Sequence, residues 1–461
     1  MIRLRSSWHL RHLLSTLICC LLAQPLRAAN PITNLAFTAD PSAHVFGDRL
    51  YVYPSHDRNE AKEFDMTDYH IYSTDDLQNW QDHGVVLDLA NVPWALKYLW
   101  APDCADKNGT YYLYFPAFSK TAGRGACVGV ATGSSPAGPF KALDQPIDGV
   151  TGIDPAVFVD DDGQAYLYWA GAGPQGAQLK ANMTELDGPA VKLAGIEHFF
   201  EGPWIFKRHG IYYYTYAAKM KGGTGDGGQG QWFDYATSDR PLGPFTYRGH
   251  FSHSGPNGGN IHGSQIEWHD KWYGFYHEFS TCGGDSKHNF KRNMRVDEMQ
   301  FGPDDSIQEL HWTDEGPSAL KNFDPYKVCA AACLNASDIP LSPHAVTTEP
   351  CAEGGVDLCN IRDGGWVRYA NVNFGSGAAG FTARVGSAKD GGSIELHLDR
   401  LDGPLVGTCA VPDTGGGQTW RDASCRVKGA GGVHALYLKF IGGSNDDTEG
   451  LFHFSRFQFV R

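Results

Sequence analysis

The sequence predicts an all-β protein built from two domains, and three observations lead to this fold class. At 461 residues and 42% apolar content, the chain is too long for one ordinary hydrophobic core. Aromatic residues make up 13% of the chain, which also contains 56 glycines and 25 prolines. Such a composition favours many short strands joined by tight turns. The third observation is a hairpin pattern that recurs between residues 30 and 320.

The first 29 residues have the features of a secretory signal peptide. An apolar run from Leu13 to Leu22 follows several arginines, and the small residues Ala28 and Ala29 come after it. This run is too short to span a membrane, and no later segment reaches about 18 uninterrupted apolar residues. We therefore expect an exported monomer, periplasmic or extracellular, without a membrane span.

The net charge narrows the class of partner. The formal charge is −14, and the predicted signal peptide carries four arginines and no acid, so its removal makes the chain more negative. This acidity argues against nucleic acids and polyanionic sugars as partners. It is compatible with a neutral polysaccharide.

Two of the eleven cysteines lie in the predicted signal peptide, which leaves nine. In an exported protein we expect disulfides, and an odd number leaves at least one cysteine unpaired. The candidate pairs that lie close in sequence are Cys351 with Cys359 and Cys409 with Cys425.

Five stretches repeat one pattern, in which a polar entrance residue precedes a short alternating run, a turn and a Tyr-rich alternating run. Alternation is the period of a β-strand, and turns such as "KNG" and "DDDG" join two strands into a hairpin. We interpret Asp160 to Asp162 as turn residues of this kind. The five entrance residues are Asp40, Asp103, Asp154, Glu201 and Ser264.

The repeats predict a five-bladed β-propeller over residues 30–320, because each interval of about 50 to 60 residues accommodates one four-stranded sheet. The innermost strand of each blade runs along the central axis, so the residues that begin these strands meet at one mouth. Asp40, Asp154 and Glu201 are therefore expected to converge. Clustered buried acids are electrostatically costly, which points to a functional site. For Asp103 we expect a strand-capping role.

Hydrolysis of a glycosidic bond suits such a cluster. One carboxylic acid protonates the leaving oxygen while a carboxylate activates water or attacks carbon, and a third acid raises the pKa of the proton donor. Aromatic side chains near the same strand ends offer apolar faces for a sugar ring. They are Tyr53, Trp100, Trp169 and Trp204.

The motifs "ADPSAHVF", "WAPD", "GIDPAVFVDDDG", "FEGPWIFKRHGIYYYTYA" and "GNIHGSQIEWHDKWYGFYH" resemble glycoside hydrolase family 43, and they occur in family order. The resemblance implies a five-bladed propeller that acts on arabinose- and xylose-containing polysaccharides with inversion at the anomeric carbon. It implies no required cofactor.

The resemblance also implies roles for individual residues. Asp40 matches the general base, Asp154 the residue that modulates the pKa and orientation of the acid, and Glu201 the general acid. His262, in "NIHGSQ", matches an axial histidine that in many relatives lies beside a water or a calcium ion. Arg292 matches an arginine that contacts substrate.

Residues 321–349 are interpreted as a linker, and residues 350–461 resemble carbohydrate-binding module family 6, a jelly-roll β-sandwich. Asn360 and Gly417 stand where that family usually has aromatic residues, and Ser455 replaces an aspartate associated with its structural calcium. Three roles remain open for this module: a mainly structural role, sugar binding on another surface, and sugar binding in the usual cleft.

We therefore predict an exported hydrolase that releases terminal pentoses from arabinoxylan, xylan or arabinan and their oligosaccharides, as an α-L-arabinofuranosidase or a β-xylosidase, with the former slightly favoured. The loop from Asp57 to His70 is expected to wall the pocket and to favour exo action. The alternatives are an endo-arabinanase and a non-catalytic carbohydrate-binding propeller. A retaining fructan-cleaving enzyme is disfavoured, because its "NDPNG"-like and "ECP"-like signatures are absent.

Overall fold

A computed structural model describes residues 30–219, 231–253, 260–279, 290–338, 342, 345–443 and 450–461. The predicted signal peptide, residues 1–29, lies outside the described residues. The all-β prediction is confirmed, since helical structure in the described part of the chain is confined to a short 3-10 turn, Leu89–Asn91. No helix among the described residues is long and apolar enough to cross a membrane.

Five antiparallel sheets form the propeller blades, and the chain enters the five blades one after another. Blade 1 contains β1 (Phe37–Phe46), β2 (Arg49–Asp57), β3 (Asp68–Thr74) and β4 (Trp80–Asp88). Blade 2 contains β5 (Ala95–Lys97), β6 (Asp103–Lys107), β7 (Thr110–Ser119), β8 (Ala126–Gly133) and β9 (Lys141–Ala142). Blade 3 contains β10 (Ile153–Val159), β11 (Ala165–Gly171), β12 (Gly173–Gln178) and β13 (Val191–Lys192). Blade 4 contains β14 (Phe199–Arg208), β15 (Ile211–Lys219), β16 (Gln231–Ser238) and β17 (Thr246–His253). Blade 5 contains β18 (Gly263–Trp268), β19 (Lys271–Phe279) and β20 (Arg292–Met299).

The five predicted entrance residues lie at or near the start of the innermost strands β1, β6, β10, β14 and β18, as the repeat required. Buried tyrosines and other apolar residues fill the spaces between neighbouring blades. The ring of sheets therefore gathers these distant positions around one axis.

The start of the described chain closes the ring, because it runs along the outer edge of blade 5. The Ile32 amide donates to the Met294 carbonyl at 2.9 Å. The Asn30 side chain donates to the Val296 carbonyl at 3.0 Å and accepts from the Val296 amide at 3.1 Å. Ile32 also packs in a cluster shared by blades 1 and 5.

Three short strands follow the propeller: β21 (Cys329–Ala330), β22 (Cys333–Leu334) and β23 (Ala336–Ser337). The sandwich that comes next has two sheets. One contains β24 (Thr347–Pro350), β25 (Val356–Cys359), β27 (Gly380–Ser387), β30 (Gly416–Arg426) and β32 (His453–Val460). The other contains β26 (Trp366–Gly375), β28 (Gly392–Leu398), β29 (Leu405–Val411) and β31 (Gly432–Ile441).

The segment predicted as a linker is a structured joint between the domains. β22 extends blade 1 by pairing with β4, whereas β21 pairs with β32 and β23 with β26 of the sandwich. The physical reason is the burial of apolar side chains. Ala331 and Ala332 are fully buried and Leu334 is nearly so, and all three lie in the sandwich core. The apolar run "VCAAACL" indicates in the sequence that this segment is buried. The run does not indicate which strands the segment pairs with.

Polar contacts fix the sandwich against blade 1. The Asn79 side chain accepts from the Ala370 amide at 2.8 Å and donates to the Ala370 carbonyl at 3.0 Å. The Thr348 hydroxyl donates to Asp82 at 2.8 Å. Since these groups are largely buried, the interface has a defined register.

The register of β24 and β25 excludes the predicted pair Cys351 and Cys359. Cys359 lies opposite Thr347, whereas Cys351 lies at the turn, where its amide bonds to Gly355. The two cysteines are therefore separated by about 13 Å along the hairpin, beyond the Cα distance of about 7 Å that a disulfide spans. Cys409 and Cys425 instead lie side by side, and both are thiols in the structure.

Replacing Ile32 with alanine is expected to lower the free energy of unfolding of the propeller by about 2 to 4 kcal/mol, because the change leaves a cavity where the ring closes. Urea denaturation followed by tryptophan fluorescence measures this loss. The control is Val433→Ala, since Val433 is 48% exposed in the sandwich. Equal midpoints for the two variants would contradict a closing role for this segment.

Candidate active site

The three acids predicted at the mouth lie at β-bulges. The pairing of β1 with β2 slips around Asp40, that of β10 with β11 around Asp154, and that of β14 with β15 on both sides of Glu201. A bulge bends its strand and redirects the side chain of the extra residue. The bulges therefore direct the acids into one pocket instead of leaving them in the strand ladder.

A left-handed backbone step accompanies each bulge. The φ angles are 50° at Asp40, 55° at Asp154 and 61° at Gly202, and each of these residues directly precedes a proline. Aspartate and glycine are among the residues that tolerate this conformation. A side chain at Gly202 would also crowd the site, because a Cβ would lie 3.0 Å from the His262 ring.

His277 anchors the backbone at the first of these bulges. The Asp40 amide donates to Nδ1 of His277 at 3.0 Å, and Nε2 of the same ring lies 3.1 Å from the Asn260 carbonyl. Because an amide only donates, Nδ1 carries no proton and Nε2–H is the donor. Burial lowers the pKa of His277, which favours this neutral ring.

The Asp40 carboxylate is held as an anion. Its Oδ1 accepts from Nη1 of Arg292 at 2.9 Å, and its Oδ2 accepts from the Ser55 hydroxyl at 2.5 Å. Burial alone would raise the pKa of Asp40, but the guanidinium of Arg292 and the nearby His262 hold it well below its usual range.

Arg292 is held by Asp57 in addition to its contact with Asp40. Its Nε and Nη2 donate to the two oxygens of Asp57 at 2.9 and 2.8 Å, a bidentate pair. The guanidinium also lies over the Phe64 ring, 4.7 Å from the centroid. At 2% exposure, Arg292 is a buried counterion for Asp40 as well as part of the pocket lining.

Asp154 and Glu201 have the opposite electrostatic character. Burial raises the pKa of Asp154, whose Oδ2 accepts from the Gly202 amide at 3.0 Å. Burial and then the negative charge of Asp154 raise the pKa of Glu201 to about 8. At neutral pH the pocket therefore holds an ionised Asp40 and a protonated Glu201.

His262 lies among the acids, with Nδ1 3.5 Å from Oδ1 of Asp40. Burial lowers its pKa, but Asp40 and Asp154 outweigh burial and raise it. Calcium takes six to eight oxygen ligands. In the described ranges, His262 belongs to neither of the clusters in which three ligand side chains converge closely enough to hold a metal.

The three acids line one cavity of about 220 Å³. The loop from Asp57 to His70 contributes to its wall, as predicted. The Trp100 indole also lines it and donates to the Phe64 carbonyl of that loop at 2.7 Å. The full lining is Asp40, Phe64, Met66, Trp100, Ile153, Asp154, Phe200, Glu201, Gln231, Asn260, His262 and Arg292.

Two of the predicted sugar-contacting tryptophans lie elsewhere, and so does Tyr53, which is fully buried. Trp169, on the second strand of its blade, is 2% exposed in the core between blades 2 and 3. Trp204 lies beyond Glu201 along β14, lines a separate cavity and donates to the Gln265 carbonyl at 2.9 Å. The predictions for Trp169 and Trp204 are corrected because proximity to a strand end does not determine which face a side chain occupies.

The entrance residues of the other two blades connect neighbouring blades. Asp103 accepts from the Val157 amide at 2.6 Å and pairs with His44 at 2.5 Å. The Ser264 hydroxyl accepts from the Ala43 amide at 3.0 Å. Sequence reasoning anticipated the structural role of Asp103.

Sequence reasoning missed several residues that shape the site: Ser55, Asp57, Phe64, Phe200, Gln231, Asn260 and His277. Asp57 had a signal, since it ends a predicted strand in "YPSHD" and precedes the long loop. Phe64 lies in the loop predicted to wall the pocket, and Phe200, Asn260 and His277 lie inside the quoted motifs. The sequence therefore marked these stretches, but not the role of the individual side chains.

The sandwich has a pocket of about 400 Å³ at the cleft where two aromatic positions of the family are replaced, and both Asn360 and Gly417 line it. An aromatic side chain at position 417 does not fit, because a Cβ there would lie 2.6 Å from Nε2 of His453. His453 in turn pairs with Glu349 at 3.0 Å and Asp357 at 3.3 Å. The cleft is thus lined mainly by charged, polar and small residues, together with the buried side chains of Leu451 and Phe452.

Comparisons with known proteins agree with the fold. Residues 28–307 match glycosyl hydrolases family 43, and residues 342–461 match carbohydrate binding module family 6. An arabinoxylan arabinofuranohydrolase of Bacillus subtilis is 34% identical, over 95% of this chain and 94% of that protein. A xylosidase/arabinosidase of Humicola insolens is 37% identical, over 60% of this chain and 97% of that protein.

Solved structures give the same result. A Bacillus subtilis arabinoxylan arabinofuranohydrolase in complex with cellotetraose superposes with a TM-score of 0.80 at 31% identity, over 94% of this chain and 97% of that one. A β-xylosidase/α-arabinofuranosidase from a compost metagenome, in a calcium-free form with xylotriose, has a TM-score of 0.55 at 37% identity over 61% of this chain and 97% of that one. The protein is a glycoside hydrolase of family 43 whose C-terminal sandwich belongs to carbohydrate-binding module family 6.

Proposed function

We propose that the protein is an exported, inverting exo-glycosidase that removes terminal α-L-arabinofuranose from arabinoxylan and its oligosaccharides. One observation carries this proposal: a single small pocket combines a carboxylate held ionised with a carboxylic acid held protonated. Export rests on the signal-peptide features of residues 1–29.

Asp40 is assigned as the general base. Its low pKa keeps it ionised, and the contacts from Arg292 and Ser55 fix its orientation toward the pocket. A water activated by Asp40 attacks the anomeric carbon, and the proton of that water passes to the carboxylate. Attack by water opposite the leaving group inverts the configuration.

Glu201 is assigned as the general acid. With a pKa of about 8, it is protonated at neutral pH and donates its proton to the glycosidic oxygen as the bond breaks. Asp154 is assigned as the residue that keeps Glu201 protonated through charge repulsion. Its hydrogen bond to the Gly202 amide holds the peptide next to the acid.

The pocket supports a small, uncharged terminal sugar. Its volume of about 220 Å³ suits one pentose, and Phe64, Trp100 and Phe200 give it apolar faces. The wall formed by the Asp57 to His70 loop favours exo action over endo cleavage of arabinan. Arabinofuranose is preferred to xylose because the relatives that match both domains are named arabinoxylan arabinofuranohydrolases.

We assign the sandwich a mainly structural role at its predicted cleft, since His453 occupies the space that an aromatic platform at position 417 would need. In the Glu201→Gln background, Asn360→Ala is expected to leave retardation on arabinoxylan in affinity electrophoresis unchanged. Trp100→Ala in the same background serves as the comparison variant. Loss of retardation with Asn360→Ala would contradict the structural role and indicate that this cleft binds sugar.

Glu201→Gln is expected to lower kcat on arabinoxylan oligosaccharides by about 10³-fold, and Asp40→Asn by at least as much. Glu201→Gln should lose less activity on p-nitrophenyl α-L-arabinofuranoside, because that leaving group needs little protonation. Glu197→Gln is the matched control, since Glu197 is an exposed acid near the same strand.

Proton NMR of the first product anomer tests the stereochemistry of the same reaction. Inversion is expected with the wild-type protein. Full activity in both variants would remove the assignment, and a retained anomer would contradict Asp40 as an activator of water.

The pH profile follows from the opposite protonation states. Activity requires protonated Glu201, so kcat/KM is expected to fall as the pH rises through about 8. It should persist well into acid, because Asp40 protonates only below its usual range. Asp154→Asn removes the repulsion on Glu201 and is expected to move the basic limb to lower pH. An unmoved basic limb would contradict the role given to Asp154.

A further inference from the structure

Two histidines and an aspartate converge on blade 1 outside the residues assigned to catalysis. Each of His56, Asp68 and His70 offers one ligand atom, and these atoms all lie within 4.8 Å of one another. Nδ1 of His56 lies 2.5 Å from Oδ1 of Asp68, and the two imidazole rings are 4.7 Å apart. The ligand atoms are therefore close enough for one metal ion to take the place of the proton that His56 and Asp68 share.

A fourth residue orients the cluster from behind. Nδ1 of His70 lies 3.1 Å from Oδ1 of Asp82, which also accepts from the Gly84 amide at 2.7 Å. The Thr348 hydroxyl donates to the other oxygen of Asp82 at 2.8 Å. As an ionised carboxylate only accepts, Nδ1 of His70 is the donor and Nε2 remains as its ligand atom. Metal-bound histidines are commonly held by a carboxylate in this way.

The burial of the cluster suits a site that is open at one side. Side-chain exposure is 22% for His56, 19% for Asp68 and 10% for His70, while Asp82 is 1% exposed. An ion can therefore reach the three ligands, and a water can complete a tetrahedron.

We propose that His56, Asp68 and His70 bind one divalent transition-metal ion of the zinc class. Two imidazoles and one carboxylate match the ligand preference of Zn²⁺ or Co²⁺, whereas calcium and magnesium prefer all-oxygen sites. The alternative is a hydrogen-bonded histidine–aspartate cluster that binds no metal.

The position of the metal site links it to the loop that walls the sugar pocket. His56 lies at the end of β2, and Asp68 and His70 lie at the start of β3, so the ion joins the two ends of the segment that carries Phe64 and Met66. Bound metal therefore stabilises the wall of the sugar pocket. This consequence rests on the proposed function, but metal binding itself does not.

The experiment uses tag-free, full-length protein that has been treated with EDTA and dialysed. Titration with ZnCl₂ in a calorimeter is expected to show one equivalent bound, and CoCl₂ to give the visible absorption of a four-coordinate site. His70→Gln and His56→Gln should each weaken binding by more than about tenfold, and Asp82→Asn by about 10- to 100-fold. Circular dichroism checks the folding of each variant, and Asp68→Asn replaces any variant that fails to fold.

His453→Gln is the matched control, because His453 belongs to the second three-residue cluster of the described chain, with Glu349 and Asp357. This variant should keep wild-type zinc affinity. Absence of zinc uptake by the wild-type protein would overturn the proposal. So would uptake that survives in both His56→Gln and His70→Gln, or uptake lost only in His453→Gln. The dependence of KM on bound metal is measured separately. A KM that does not change with metal would contradict the stabilisation of the pocket wall, but not metal binding itself.

Discussion

The site depends on a backbone constraint: a left-handed step before a proline, at a bulge in an innermost strand. This step occurs at Asp40, at Asp154 and next to Glu201 in Gly202. Without it, side chains would alternate along the strand, and an acid at its start would point between blades or along the ladder. The propeller brings the strand ends together, but the bulges direct the carboxylates at one another. The site is therefore specified by local backbone geometry as much as by the ring of sheets.

Charge balance then determines which acid keeps its proton. Charged groups at the site include the carboxyls of Asp40, Asp57, Asp154 and Glu201 and the side chains of Arg292 and His262. Arg292 forms ion pairs with Asp57 and Asp40, and Nδ1 of His262 lies 3.5 Å from Oδ1 of Asp40. In the described part of the chain no cation forms an ion pair with Glu201, so its charged form is costly in this pocket and its pKa is raised to about 8. The contrast between the acids follows from where the guanidinium is placed.

Much of this arrangement was predictable because it repeats. The five entrance residues recur at similar intervals, so the blade count and the convergence of Asp40, Asp154 and Glu201 follow from the sequence. Trp169 was assigned wrongly because its face depends on the register of a second strand. The predicted disulfide between Cys351 and Cys359 was wrong because it depends on the register of β24 with β25. The number of residues between two cysteines does not reveal where a hairpin turns.

Partners of the acids were less visible because they come from distant parts of the chain and occur once. Asp57 lies far from Arg292 in sequence, and neither shows by itself that it holds the other. His277 resembles any histidine on a strand, and its role is set by one hydrogen bond to a backbone amide. A single sequence identifies repeated roles, whereas an individual pairing requires coordinates.

Blade 1 links the features on which the molecule depends. Its first strand carries Asp40, its second strand ends at the Asp57 that fixes Arg292, and its last strand pairs with the joint leading to the sandwich. A chain of contacts runs from Thr348 of the sandwich through Asp82 to His70, beside the loop that walls the pocket. Each contact in this chain is at least partly buried. The C-terminal domain therefore contacts, through Asp82, the strand that follows the pocket wall.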